Sequence, residues 1–97
     1  MHAEIVRLRP HSEDAKVKLL AIRDDLVASY RREFSAFVSC QLLRVSDTEE
    51  WLDLWFWESR EAAEEALAQP EKTPLFAIWQ DQVELVRFEW SEVLYSG

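Results

Sequence analysis

Glycine is almost absent from this chain of 97 residues, which contains only Gly97. The phosphate-binding loops of nucleotide and dinucleotide folds need glycines for tight turns and close backbone approach, so the sequence excludes them. Cysteine is equally scarce, and the single Cys40 excludes a disulfide within the chain. Because Cys40 lies in an apolar stretch, we interpret it as a buried and unreactive thiol.

Clusters of basic residues are also lacking. The chain has 11 Lys and Arg against 19 Asp and Glu, a formal net charge of −8, and no basic run dense enough to follow a phosphate backbone. No apolar run is long enough to span a membrane, and the first residues lack the apolar stretch of a secretory signal. The sequence therefore predicts a cytoplasmic protein that binds neither nucleic acid nor a membrane.

Common catalytic and metal-binding arrangements are missing as well. The two histidines, His2 and His11, lie at the start of the chain and beside a predicted helix cap, with no placed partner. Ser-His-Asp, Cys-His and Cys-x-x-Cys arrangements do not occur, and we predict no metal site. The length predicts one domain over residues 1–97.

Aromatic residues, by contrast, are abundant, with five Trp, five Phe and two Tyr. They are densest in the predicted strand from Trp51 onward, whose side chains alternate between two faces. One face carries Trp51, Asp53, Trp55 and Trp57, and the other carries Leu52, Leu54 and Phe56. We expect the helices to cover the aliphatic face, which leaves the indole face for a partner subunit or a ligand.

The hydrophobic pattern predicts the order β-α-β-β-α-β. Strands are predicted over 3–9, 37–45, from 51 and over 84–95; helices follow Ser12 and Ser59, and the second is interrupted by Pro70 and Pro74 before a helical piece over 74–83. This order is typical of an α+β, ferredoxin-like split β-α-β-β-α-β fold, in which both helices cover one face of a four-stranded antiparallel sheet. Arg23, beside the apolar stripe of the first helix, is interpreted as a rim residue.

The last strand adds polar residues to the sheet face that we expect to be bare. We expect Val86, Phe88 and Trp90 on one side of this strand, and Leu85, Arg87 and Glu89 on the other. A face that combines indoles with Asp53, Gln41, Arg87 and Glu89 fits a partly polar dimer interface or a pocket with a few polar groups. Both alternatives stay open, and the aromatic content favours a homodimer.

The junction from Leu54 to Ala62, together with the length and element order, resembles the antibiotic biosynthesis monooxygenase family of dimeric α+β barrel proteins. The shared pattern is a Trp closing the third strand, then one residue, Ser, and an acidic, Ala-rich helix start, here Trp57, Ser59 and Glu61-Ala62. The resemblance implies a homodimer in which two sheets pack face to face. It also implies oxidation of a phenolic or polyketide-like aromatic by molecular oxygen without a cofactor, although many members have no known activity.

A haem-degrading branch of that family resembles this chain at Trp57, where its essential Trp stands. That branch needs a histidine on the second helix to bind iron, and residues 74–80 contain none. Its first-strand asparagine is also absent, with Arg7 nearby instead. We therefore expect no haem and no other cofactor.

Cofactor-free chemistry needs an apolar cavity, a base and a donor that holds an anion. The candidate catalytic residues are Asp53 or Glu89 as the base and Arg87 as the cation, with Trp55, Trp57 and Trp90 as substrate-binding walls. For each charged residue, an ion pair across the strands is the open alternative. Two functions follow: a cofactor-independent monooxygenase acting on an aromatic or polyketide-like small molecule, or a non-catalytic dimeric protein for small-molecule binding or stress response.

Overall fold

A computed structural model describes residues 1–97 and confirms the ferredoxin-like α+β fold. The elements are β1 (His2–Pro10), α1 (Glu13–Glu33), β2 (Phe37–Arg44), β3 (Trp51–Trp57), α2 (Arg60–Leu67), α3 (Leu75–Asp81) and β4 (Val83–Glu92), with a short 3-10 turn at Pro70–Lys72. The sheet order is β2-β3-β1-β4, and all neighbouring strands are antiparallel. None of the helices has the length and apolarity needed to cross a membrane.

Two serines start the two predicted helices, as expected. The Ser12 hydroxyl accepts a hydrogen bond of 3.1 Å from the backbone N–H of Ala15, and the Ser59 hydroxyl accepts one of 3.2 Å from that of Ala62. Each bond satisfies a backbone donor that the first helical turn leaves unpaired. The caps therefore fix where α1 and α2 begin relative to the strands before them.

The last strand differs from its prediction in where it ends and in which face Leu85 occupies. It stops at Glu92 rather than Tyr95, because its partner β1 begins at His2, directly opposite Glu92. A bulge also occurs where the register shifts between Arg7 and Leu8, which makes Val86 an extra residue. Leu85 therefore lies on the same face as Phe88, and the prediction that placed it with Arg87 is wrong.

The expected assignment of the two faces of β3 is also wrong. The side chains beneath the helices are Trp51, Asp53, Trp55 and Trp57, all buried, whereas Leu52, Leu54 and Phe56 are half-buried on the opposite face. The physical reason is that α1 presents Tyr30 as well as leucines, with its ring centre 4.8 Å from that of Trp55. Indoles bury more apolar area than leucines, so covering them gains more free energy.

The core therefore lies between the helices and the tryptophan side of the sheet. It includes Leu8, Leu19, Leu26, Tyr30, Phe37, Trp51, Trp55, Trp57 and Trp79. No helix covers the other side, which we call the bare sheet face. Its apolar side chains are Ala3, Ile5, Leu43, Leu52, Leu54 and Phe56, and its polar ones include Arg7, Gln41, Arg87 and Glu89.

Candidate functional site

A cavity of about 410 Å³ lies between the sheet and the helices. Its aromatic walls are Tyr30, Trp55, Trp57, Phe76, Trp79 and Phe88; its aliphatic walls are Val6, Leu8, Ala63, Ala66, Leu67, Val83 and Leu85; its polar residues are Glu4, Asp53 and Gln80. This volume falls within the range of small-molecule sites, as does the combination of many apolar groups with few polar ones. The cavity is the candidate functional site.

The small side chains of α2 shape this cavity. Ala63 and Ala66 face the sheet and are 0% and 4% exposed, so α2 lies close to the strands at these positions. After the break at Pro70–Lys72, α3 contributes the larger Phe76 and Trp79. Two alanines beside two large rings leave a gap that neither helix fills.

Asp53 lines the cavity, but its carboxylate is engaged by Arg23 of α1. Nη1 of Arg23 donates to Oδ2 at 3.0 Å and Nη2 donates to Oδ1 at 2.7 Å, and the two side chains are only 12% and 4% exposed. The guanidinium also lies 4.9 Å from the ring centres of both Trp55 and Trp79. This bidentate, stacked pair makes Asp53 a structural anchor rather than a free base.

The predicted roles of Asp53 and Arg23 change accordingly. The sequence predicts Asp53 either as a base or in an ion pair across the strands, and its partner is instead Arg23 on helix α1. The interpretation of Arg23 as a rim residue is wrong, because it lies between two indoles.

Glu4 of β1 is the polar group of the cavity that sequence reasoning missed. It is 8% exposed, it forms no ion pair, and the neighbouring Trp57 indole N–H lies outside hydrogen-bond geometry with its carboxylate. Burial raises the pKa of Glu4 to about 7; the nearby Trp57 indole partly offsets this rise, and the charge of Asp53 adds to it. A signal was present in the sequence, since Glu4 interrupts the apolar face that Val6 and Leu8 continue.

Trp57 supplies the second unengaged polar group. It is 1% exposed, and its indole Nε1 is the only buried side-chain nitrogen or oxygen without a hydrogen-bond partner. The indole lies near enough to Glu4 to influence its pKa, yet the two groups do not reach hydrogen-bond geometry. A buried N–H without an acceptor is costly, so it is a group whose presence needs an explanation.

The structure does not bring the other predicted site residues to the cavity. Arg87 is exposed and Glu89 half-buried on the bare sheet face, where they form an ion pair with each other, so the expectation that they share a face with Asp53 is wrong. Phe88, between them, points to the cavity because side chains alternate along a strand. Trp90 lies on the helix side but packs against Phe88 and Arg60 instead of lining the cavity.

Cys40 and the acidic residues are the other side chains with the potential for reactive or metal-binding chemistry. Cys40 on β2 is half-buried rather than buried as expected, and this partial burial raises the pKa of its thiol. No group of three or more His, Cys, Asp or Glu side chains is arranged to hold a metal ion.

The Arg23–Asp53 pair predicts strong energetic coupling. Arg23→Met leaves a buried carboxylate unpaired and should lower the free energy of unfolding by about 3–5 kcal/mol, whereas Arg23→Met combined with Asp53→Leu should recover most of that loss. Urea unfolding of the two single variants and the double variant measures this coupling. Arg32→Met, an exposed arginine on the same helix, serves as the control and should change stability by less than about 0.5 kcal/mol. Additive losses in the double variant would contradict the pairing.

The raised pKa of Glu4 predicts a stability that depends on pH. Its contribution to folding is complete below the ordinary value of 4.5 and is lost as the pH rises to about 7, because the folded state holds the proton more tightly. As the pH rises from about 4 to about 8, the free energy of unfolding of Glu4→Gln should therefore increase by up to about 3 kcal/mol relative to that of the natural chain. Urea unfolding at both pH values tests this, with Glu58→Gln, at an exposed position, as the charge-matched control. An equal effect of both substitutions would refute it.

Solved structures share this fold over nearly their whole length. SnoaB, a cofactor-independent oxygenase from Streptomyces nogalater, is 20% identical and matches with a TM-score of 0.80 over 98% of this chain and 94% of its own. A proposed antibiotic biosynthesis monooxygenase from Chloroflexus aurantiacus is 13% identical, with a TM-score of 0.73 over 99% of this chain and 95% of its own. A dimeric ferredoxin-like protein from an uncultured marine organism is 10% identical, with a TM-score of 0.72 over 100% of this chain and 98% of its own.

At the level of sequence, no protein-family model and no curated protein matches the chain. The structural likeness extends over all four strands and the helices, and its identities are low enough that it defines the fold alone. The chain has the ferredoxin-like fold of the antibiotic biosynthesis monooxygenases.

Proposed function

We propose that this protein is a cofactor-independent monooxygenase that oxidises an aromatic or polyketide-like small molecule. The observation that carries the proposal is the cavity between sheet and helices, which has aromatic walls and one buried acid, Glu4, that no residue of the chain engages. The activity of SnoaB, which shares the fold, supports it.

The chemistry of the cavity favours a flat, uncharged substrate. The faces of the aromatic walls stack well on planar rings, and apolar side chains supply most of the remaining surface. No lysine or arginine lines the cavity, and Arg23, which binds the lining residue Asp53, is already paired, so a carboxylated or phosphorylated substrate finds no free positive partner there. The net charge of −8 disfavours such anions further.

A monooxygenase without a cofactor must take its electrons from the substrate. In the balanced reaction a CH₂ group of the substrate becomes C=O, one atom of O₂ enters the product, and the other leaves as water with the two hydrogens. The substrate reacts with oxygen more readily as an anion, so the site needs a base and a dry environment that keeps the anion from being reprotonated by water. A cavity with apolar walls and a buried acid meets both needs.

We also infer that the protein forms a homodimer through the bare sheet face. Leu52, Leu54 and Phe56 project from its centre, with Ile5 on the neighbouring strand β1. A contiguous apolar patch of this kind, bordered by charged side chains such as Arg87, is typical of a protein interface. The structural likeness to a dimeric ferredoxin-like protein supports this arrangement.

The dimer and the cavity then lie on opposite sides of the sheet. The sequence suggested that the tryptophans would line the space between two protomers, but they lie under the helices of their own chain. Each protomer therefore holds a complete cavity, and the partner closes the opposite face.

Oxygen consumption tests the proposed activity directly. With a panel of hydroxylated multi-ring aromatics we expect the natural protein to consume oxygen, as measured with an oxygen electrode and product mass spectrometry. Ala66→Leu adds three carbons inside the cavity and should reduce kcat/KM at least about tenfold, because the substrate loses room. Ala68→Leu, the same change at an exposed position just after α2, should leave kcat/KM unchanged.

Two results would count against this activity. No oxygen uptake with any compound, combined with tight binding of several, would favour the non-catalytic binding protein. Equal effects of the two alanine substitutions would show that the reaction occurs elsewhere on the protein.

Light scattering tests the dimer. At micromolar concentration the natural protein should have twice the 11.5 kDa mass of one chain. Leu54→Glu places a charge in the centre of the bare sheet face and should shift the protein to monomers, because a buried unpaired charge opposes association. Leu20→Glu changes an exposed leucine on the outer side of α1 and should remain dimeric. A monomeric natural protein would refute the interface.

A further inference from the structure

Glu4 and Trp57 lie side by side on the cavity floor. They belong to the neighbouring strands β1 and β3, whose register pairs Glu4 with Trp55 and His2 with Trp57. Both side chains point to the helix side of the sheet, so Trp57 is the diagonal cross-strand neighbour of Glu4. Both line the cavity, and neither is more than 8% exposed.

Neither group finds a partner within the chain. The Trp57 Nε1–H has no acceptor, and the Glu4 carboxylate takes part in no hydrogen bond or ion pair. The carboxylate oxygens are not among the fully enclosed unpaired atoms, so they are open to the cavity. The chain thus presents one free donor and one free acceptor at the same point of the cavity.

The surrounding charged and titratable groups leave Glu4 unpaired. Asp53 of β3 carries a like charge, and Arg23 behind it is already bound to Asp53 at 2.7 Å. Tyr30 faces the cavity from α1, and His2 lies two residues away on the same face of β1. From α2, Arg60 lies over the ring of Trp90, 4.8 Å from its centre, and pairs with Glu64. No cation compensates the carboxylate.

A ligand hydroxyl satisfies both groups through one oxygen atom. Its O–H donates to the Glu4 carboxylate while its oxygen accepts from the Trp57 N–H. Above about pH 7, where Glu4 is ionised, a carbonyl oxygen accepts from Trp57 but leaves the charged carboxylate without a donor, and an ammonium group donates to Glu4 but leaves the indole without an acceptor. The pair is therefore selective for a phenolic or enolic hydroxyl over these two groups.

We propose that Glu4 and Trp57 form the subsite that takes the ionising hydroxyl of the substrate, with Glu4 as the catalytic base. The substrate O–H bond breaks, its proton forms an O–H bond with the Glu4 carboxylate, and the electron pair stays on the substrate oxygen. The Trp57 N–H then holds the resulting oxyanion. This inference rests on the proposed oxygenase function and gives it a base and a substrate group.

The environment of Glu4 suits this role. Burial raises its pKa to about 7, so near neutral pH a large share of the protein carries the ionised form while the acid is still a strong enough base to take a proton from a phenol. An acid with the ordinary carboxyl pKa is a weaker base, and Asp53 is held by Arg23. Activity should accordingly fall as the pH decreases through about 7.

Ligand binding tests the subsite without any need for turnover. Calorimetric titration at about pH 8 would compare 2-naphthol with its methyl ether, 2-methoxynaphthalene, which lacks the donor hydrogen. We expect the natural protein to bind 2-naphthol at least about tenfold more tightly, and we expect Trp57→Phe and Glu4→Met to lose this preference. Trp90→Phe and Glu89→Gln remove the same groups outside the cavity and should keep it.

Oxygen uptake provides the second readout. With a hydroxylated aromatic that the natural protein oxidises, Glu4→Gln should lower kcat/KM by about 100-fold or more and remove the fall in rate on the acid side of pH 7. The amide matches the shape of the acid but takes no proton, so circular dichroism of this variant should match that of the natural chain. A retained rate in Glu4→Gln would overturn the assignment.

These experiments distinguish failure of the proposed subsite from failure of the proposed oxygenase function. If both naphthalenes bind with equal affinity, the subsite is refuted while the cavity still serves as a binding site. If neither binds and no aromatic supports oxygen uptake, the proposed function fails together with the subsite. A preference for 2-naphthol that persists in both Trp57→Phe and Glu4→Met would locate the hydroxyl elsewhere in the cavity and overturn the proposal.

Discussion

The buried pair between Arg23 of α1 and Asp53 of β3 fixes how the helix lies on the sheet. Both charges are removed from water, so each must keep the other within hydrogen-bond distance or a charge is left uncompensated. The two parallel N–H···O bonds also set the rotation of α1 about its axis, and Trp55 and Trp79 hold the guanidinium from two sides. One geometry of helix, strand and α3 satisfies all of these contacts together.

The same pair decides what each side of the sheet does. With Asp53 directed at α1, the residues two and four positions away on β3 must also face the helices, which places Trp51, Trp55 and Trp57 in the core. The intervening Leu52, Leu54 and Phe56 are then directed outward. A single polar residue in an otherwise apolar strand thus separates the cavity side from the side available for association.

The elements of the fold could be predicted from the sequence, but the two faces of β3 could not. Ser12 and Ser59 cap the helices through contacts three residues away, which are local and therefore visible in sequence. Both faces of β3 are apolar, so alternation alone does not distinguish them. Arg23 determines which face lies under the helices, because it binds Asp53. The two residues are 30 positions apart, so their pairing becomes visible only once α1 is packed on the sheet. The bulge at Val86 likewise has no local sequence feature that predicts it, unlike the helix-capping serines.

The candidate site was predicted only in part, because its contacts also join residues that are distant in the sequence. The difference between its two acids, Asp53 and Glu4, indicates which one is available for chemistry. Asp53, Trp55 and Trp57 were predicted site residues and do line the cavity, although for a different reason, whereas Glu4 was missed. Arg23 binds both carboxylate oxygens of Asp53, so its positive charge compensates for the burial of that carboxylate. Glu4 is buried without a cation, and its raised pKa of about 7 means that the folded state disfavours its ionised form. An uncompensated acid beside an unpaired indole N–H weakens the fold, and such arrangements are typical of functional sites, where a bound ligand supplies the missing partners.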